Sequence, residues 1–402
     1  MQGDRSRTGI RMDAGRHAGG VIVRKGRCGM ESSALVYIIL TIVTVALGLF
    51  VRNKSYVPRC IGGQYIYKDR QYARNMVAEL AIFCLLTGVS ACRIAVGNDY
   101  WPYRFNFRLI AQERYVSSEF GFNLIVKGMQ KLFGYDNYLP VFALFSFLTV
   151  MFFSLAMHAQ ASDYAFSLFL LMTGGYYFNS LNSVRYYLAL AIALYSMKYV
   201  LRGEYACFVL WIIAGGAFHK SVFLVIPVYI IARWLAAARL KKWHYALGCA
   251  FILAVIIFGK SILRQIVFYF YPYYEASAFD NGQVSYVNIA KCIAVLVLCG
   301  ICRRKSLNGD IANRFYFFLN LGGLIVYCCG SFIPEVSRVG YYMIISQIFL
   351  IPRVVGEIES RWFRRLCYTG VTAAFTVYFA MLLRGMYDVD VRLLPYLNWI
   401  FD

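Results

Sequence analysis

The sequence predicts an all-α, polytopic membrane protein of about twelve transmembrane helices with an extracytoplasmic amphipathic loop. Three observations carry this expectation. The 402 residues are 60% hydrophobic and 18% aromatic. Only 15% are charged, against the ~25% with which a soluble domain covers its water-facing surface. Apolar runs of roughly 16 to 20 residues recur along the chain, close to the length that crosses a bilayer. A soluble enzyme, a secreted disulfide scaffold and a disordered protein are thereby excluded. The net charge of +21 has a simpler source than nucleic-acid binding, because Lys and Arg collect in cytoplasmic loops. Most of the 12 cysteines, among them Cys84, Cys292, Cys299 and Cys328, lie inside apolar runs and read as small apolar filler.

Residues 1–29 differ from the rest. They form a basic extension with Arg5, Arg7, Arg11, Arg16, Arg24, Lys25 and Arg27 against Asp4 and Asp13. We expect a misassigned start, with translation beginning at Met30; a basic arm or a signal-peptide n-region are the other readings. Residues 30–402 then make a single polytopic domain. Apolar segments fall at 34–51, 76–96, 138–157, 164–179, 184–201, 206–218, 221–235, 244–258, 286–301, 315–333, 338–352 and 366–383. Only His219 and Lys220 separate the runs 206–218 and 221–235, so this pair reads as two spans, a kinked helix or a broken helix. Pro272 argues against a full span in the aromatic stretch 260–275.

Loop charge sets the orientation. The loops 52–75, 198–205, 233–243, 302–314 and 353–365 are rich in Lys and Arg and read as cytoplasmic. The stretches 97–137, 180–184, 218–221, 259–285, 334–338 and the C-terminus then face outward. In 97–137, Phe122, Leu124, Ile125, Met129 and Leu132 recur at near-helical spacing, which predicts an interfacial helix over 120–132.

Ionisable groups near a membrane are costly and invite explanation. Several meet on the outer side: Arg93 with Asp99 and Tyr103, Glu119, Asn182 with Arg185, His219 with Ser221, and Arg338 after Glu335. Asn182 and Arg185 are three apart and share a helix face. A guanidinium grips a phosphate through parallel hydrogen bonds and keeps its charge. A histidine can accept and return a proton. Together they suit transfer chemistry on a lipid-linked phosphorylated substrate. Each has a bland reading too: the arginines snorkel to headgroups, His219 finishes a helix, Asp99 shapes the turn after Gly97, and Glu119 is an N-terminal helix charge. Lys291, inside an apolar run, reads as a site group or as a snorkelling lysine. The many tyrosines, Tyr176–Tyr177 and Tyr186–Tyr187 among them, read as interface-belt residues.

At these residues the sequence resembles the EpsG family of bacterial membrane proteins, Wzy-like polysaccharide polymerases. The pieces are Arg93-Ile-Ala-Val-Gly97-Asn-Asp99-Tyr-Trp-Pro-Tyr103, Ser118-Glu119-Phe-Gly121-Phe and Asn182-Ser-Val-Arg185-Tyr-Tyr-Leu-Ala189. Then come Ala214-Gly-Gly-Ala-Phe218-His219-Lys-Ser221, Pro227, Ser337-Arg338-Val-Gly-Tyr341-Tyr342 and Pro395-Tyr396. Their order and spacing carry the resemblance, which runs from about Met30 onward. Tyr186, where the family mostly has Gln, and Asn98, where Thr or Ser is common, depart from the pattern. The resemblance implies a polymerase joining undecaprenyl-diphosphate-linked oligosaccharide repeat units on the outer side of the bacterial cytoplasmic membrane, for capsule, exopolysaccharide or O-antigen. It implies catalytic roles for His219, Arg185, Arg338 and Asp99, and substrate contacts at Arg93, Tyr103, Glu119, Asn182 and Ser221. The implied partners are the lipid-linked sugars, the bilayer, a flippase and a chain-length regulator. No nucleic acid, metal or other cofactor is implied. The competing readings are a flippase or other transporter of the same lipid-linked sugar, an O-antigen ligase-type transferase, a membrane acyltransferase and a structural membrane protein.

Overall fold

A computed structural model describes residues 28–52, 59–61, 64–66, 70–238, 284–302, 310–330, 336–389 and 391–400, with a few isolated positions between 250 and 269. The basic extension up to residue 27, the apolar segment 244–258 (apart from two positions) and Glu335 lie outside the described residues.

The described chain is helical apart from one small hairpin, in which Arg59–Ile61 pairs antiparallel with Gln64–Ile66. Among the described residues six helices are long and apolar enough to cross a membrane: Arg70–Ala91, Leu139–Gln160, Lys220–Ala237, Ile311–Cys328, Val336–Gly356 and Arg361–Gly385. Four shorter apolar helices accompany them: Ser33–Gly48, Tyr164–Thr173, Tyr205–Gly216 and Tyr286–Ile301. Multi-pass architecture is therefore present; six spans are clear among the described residues, where about twelve were expected along the whole chain. Short helices arise where apolar runs break. The run 164–179 stops at Gly174–Gly175, because Gly175 takes φ +82 and a Cβ there would lie 2.6 Å from Leu382. The run 338–352 divides into Val336–Ile344 and Gln347–Gly356. At that break Ser346 Oγ donates to the Met343 carbonyl at 2.7 Å.

At the heart of the bundle is helix Val184–Arg202. Leu188 to Leu194 are all essentially inaccessible, as expected of a helix that is apolar on every side. It packs chiefly on Leu139–Gln160 and Tyr205–Gly216. Two amides of the interior are paired: Gln347 donates to Asn320 at 2.6 Å, and Asn320 donates to the Cys292 carbonyl at 3.1 Å. Unpaired, such amides would cost several kcal/mol at membrane depth (roughly 2–7). Cys299, buried near the end of Tyr286–Ile301, is a free thiol.

Contacts sort the connections into two groups. In one, Arg52 and Asn75 bond reciprocally, Arg353 pairs with Asp310 at 2.9 Å, and Asn313 bonds Glu357. The side-chain N-caps Asp163, Asp310 and Ser360 also begin their helices at this end. These are the basic loops. The other group holds the motif segments, and Arg70–Ala91 runs from the first group to the second. Two helices occupy the stretch 97–137. Phe120–Phe133 is the helix expected over 120–132, and it buries Phe122, Val126 and Gln130 on one stripe. Tyr100–Ala111 was not expected. Its Arg104 and Arg108 make it read as loop, yet it buries Tyr100, Tyr103, Phe107 and Ile110.

Candidate functional site

The motif segments assemble through close backbone contacts. Gly97 adopts φ +92, and a Cβ there would stand 2.9 Å from the Asn182 Cα. Only glycine allows both the conformation and the approach. The contact lets Asn182 Oδ1 accept the Asp99 N–H at 2.9 Å, while the Ser183 hydroxyl donates to the Asp99 carboxylate. From the far side the C-terminal segment closes on the same loop, with Gly97 N–H on the Arg392 carbonyl at 2.7 Å and Ile94 N–H on the Leu397 carbonyl at 3.0 Å. Gly97→Ala is expected to strain this junction by about 1–3 kcal/mol, read as a fall in melting temperature of the purified protein; an unchanged melting curve would contradict it.

A second junction joins 118–121 to 217–220. Gly121 N–H bonds the Ala217 carbonyl at 3.0 Å. Glu119 divides its carboxylate: one oxygen accepts Arg185 Nη1 at 2.6 Å, the other the Lys220 N–H at 3.3 Å. The Arg185 guanidinium also lies over the rings of Phe122 and Tyr103, 5.2 and 5.7 Å from their centroids. Buried Tyr103 thus supports Arg185. Glu119, expected as a sugar contact, is an ion-pair partner.

His219 occupies the turn between Tyr205–Gly216 and the 3₁₀ turn Lys220–Leu224. Phe208 stacks on Tyr229 with ring centroids 6.0 Å apart, so the two helices fold back on each other, and of the three readings of this pair the two segments joined by a tight turn are observed. Its Nδ1 is 2.7 Å from Ser221 Oγ, which is 3.0 Å from the Tyr342 hydroxyl. The Tyr186 ring stands edge-on to the imidazole at 5.4 Å, and its hydroxyl donates to the Arg338 carbonyl at 2.7 Å. His219 Nε2 has no hydrogen-bond partner among the described residues. Burial, and then the neighbouring charges of Arg338 and Arg185, push the imidazole down to about 3. The ring is therefore neutral at neutral pH and lies within electrostatic reach of both arginines.

Asp99, Glu119, Asn182, Arg185, His219, Ser221 and Arg338 are each partly exposed. Arg93 is not one of this group. It is 1% exposed, with Nη1 bonded to the Ser90 carbonyl and to Ser146 Oγ and its guanidinium 5.3 Å from the Phe142 ring. Nothing can reach it without unpacking the bundle, so it ties helices together where a substrate contact was expected. Asp99 is tied to Ser183 and not to His219. Asn182 holds the Asp99 loop. Sequence reasoning missed Ser183, Tyr186 and Tyr342. Tyr186 carried a signal, since it is the departure noted beside Arg185.

The depressed histidine makes acid stability testable. An ordinary histidine titrates near 6.5, so between there and about 3 the unfolded chain binds more protons than the folded one. The stability due to the neutral ring is complete above pH 6.5 and is lost as pH falls through this window. Thermal unfolding of His219→Gln should show a shallower acid decline than the parent; parallel declines would contradict it.

The comparisons with known proteins agree with the motif reading. A family model described as EpsG family matches residues 77–398, a span holding every motif segment from Arg93 to Tyr396. No curated protein and no solved structure matches the chain.

Proposed function

The chain belongs to the EpsG family, a Wzy-like polymerase-type family, and from that premise we propose that it is a polysaccharide polymerase. On this reading it joins oligosaccharide units carried on undecaprenyl diphosphate, at the outer face of the bacterial cytoplasmic membrane, to build an exopolysaccharide, capsule or O-antigen chain. The observation that carries the reading is the convergence on His219: its ring packs against Tyr186, whose hydroxyl bonds the Arg338 carbonyl, and the next residue's N–H bonds Glu119, the ion-pair partner of Arg185.

The chemistry follows from that arrangement. A hydroxyl of the incoming unit attacks the anomeric carbon of the growing chain. A carbon–oxygen bond forms, the bond from that carbon to the diphosphate breaks, and undecaprenyl diphosphate leaves with the electron pair. The hydroxyl proton goes to His219 Nε2. For Nε2 to be the free acceptor, Nδ1 must carry the ring proton and donate it to Ser221 Oγ, whose own proton then points to the Tyr342 oxygen. Arg185 and Arg338 stabilise the charge growing on the diphosphate. Binding of that anion would offset the two cations that depress the histidine, so the base gains strength as the donor docks. Asp99 and Asn182 act at one remove, by holding the loop beside Arg185.

The test is reconstitution. Purified protein in liposomes, given lipid-linked repeat units alone, should make polymer. Failure to join units while still moving them across the bilayer would replace a polymerase with a flippase.

A further inference from the structure

A groove separates helices Tyr286–Ile301 and Arg361–Gly385. Both pack on Gln347–Gly356, and the gap between them has a volume of about 520 Å³, within the range of ligand-holding clefts. Ala294 and Val297 form one wall, Val371, Ala374 and Phe375 the other, and Ile351 the floor. The flanking surfaces are apolar: Ile293, Val297, Val377 and Met381 are all exposed. In a membrane protein such faces meet lipid, so the groove opens toward the hydrocarbon.

One end of the groove is different. Lys291 lines it, roughly 8 Å along the helix from Tyr286 at the 1.5 Å rise per residue. Its ammonium contacts the facing helix. It reaches across the gap to Tyr378, 3.5 Å from the hydroxyl and 4.5 Å from the ring centroid. No carboxylate pairs with it among the described residues. Among the described residues, this cation at the head of an apolar groove has a tyrosine for its polar contact and no counter-charge. Polar groups continue from there toward the candidate site. Tyr378 and Tyr187 both lie within electrostatic reach of Tyr341, and Tyr187 within reach of Arg338.

The geometry points to a docking groove for an isoprenoid chain bearing a phosphate: the chain lies between the two helices and Lys291 meets the phosphate oxygens. The anionic head complements the lysine as a point charge, and the tail covers the apolar walls. The choice of isoprenoid over acyl chain rests on the polymerase reading. The groove would admit the carrier from the bilayer and lead its head along the tyrosines to Arg338.

The test uses the full chain in detergent, with undecaprenyl phosphate as probe and native mass spectrometry as readout. Ala294→Trp and Ala374→Trp, which fill the groove, should each weaken binding by at least about tenfold, and Lys291→Met should weaken it too. Ile293→Trp, on the outward face of the same helix, should bind as the parent does. Should the tryptophan variants misfold, a photoreactive benzophenone at Val297 in the otherwise native chain should crosslink to the probe. Binding unaffected by all three groove variants, no crosslink at Val297, or equal competition by phosphatidylglycerol would each overturn the assignment. Groove-dependent binding in a protein that makes no polymer would keep the groove and remove the polymerase. Polymer formation undiminished in groove-filled variants would do the reverse.

Discussion

Substituting His219 by alanine is expected to slow chain extension by about 10²–10⁴-fold, the span typical of a positioned acid–base group, while the protein stays folded. The side chain is partly exposed and lies in the turn between two helices, so its loss opens no large cavity. Ser221 and Tyr342 remain bonded to each other. Donor binding should persist, because the arginines are untouched; the loss should fall on kcat more than on KM. Ser221→Ala separates base from orienter. It leaves the imidazole in place but frees Nδ1, so it should cost less than His219→Ala. Polymer of normal length and rate from His219→Ala would remove the histidine from the mechanism.

Arg185→Ala is expected to do more damage than Arg338→Ala, and for a reason that Glu119 supplies. Loss of a preorganised donor to a developing anion costs about 10²–10³ in rate, and either variant bears that. Arg185→Ala also strands the Glu119 carboxylate, whose remaining partner is the Lys220 N–H. Leaving one member of a largely buried pair alone costs roughly 3–5 kcal/mol where the pair is fully buried, and less here because the Arg185 side chain is 23% exposed. Stability and activity should therefore fall together. The double variant Arg185→Ala with Glu119→Gln should regain much of the stability and none of the activity. Recovery of activity would mean that the ion pair serves only to hold the fold.

Much of the helical pattern is legible in the sequence, because apolar length announces itself. The expected 138–157 and 286–301 became Leu139–Gln160 and Tyr286–Ile301. Breaks inside apolar runs are not legible. Gly174–Gly175 and Ile345–Ser346 lie inside runs that read as single apolar segments, and the break depends on what packs alongside, such as Leu382 against Gly175. Helix Tyr100–Ala111 hides for the opposite reason: its arginines mask a buried aromatic stripe that only the neighbouring Phe122 and Phe142 make useful. In the site, alternation of loop charge and motif order bring Arg185, His219 and Arg338 to one face. Which groups touch is another matter. Glu119 and Arg185 are paired across 66 positions, and Arg93 lies behind Phe142 through packing that no local pattern encodes.

The C-terminal segment bears on biogenesis. Residues 391–399 bond the stretch 92–98 that holds the Asp99 loop, so two parts of the chain some three hundred positions apart must meet before that loop settles. During ribosomal synthesis every earlier helix can enter the bilayer while this clasp is still unmade. The loop that holds Asp99 would stay unsettled until residues 391–399 have been made, and a bulky group introduced beside Trp399 would disturb it without touching a single site side chain.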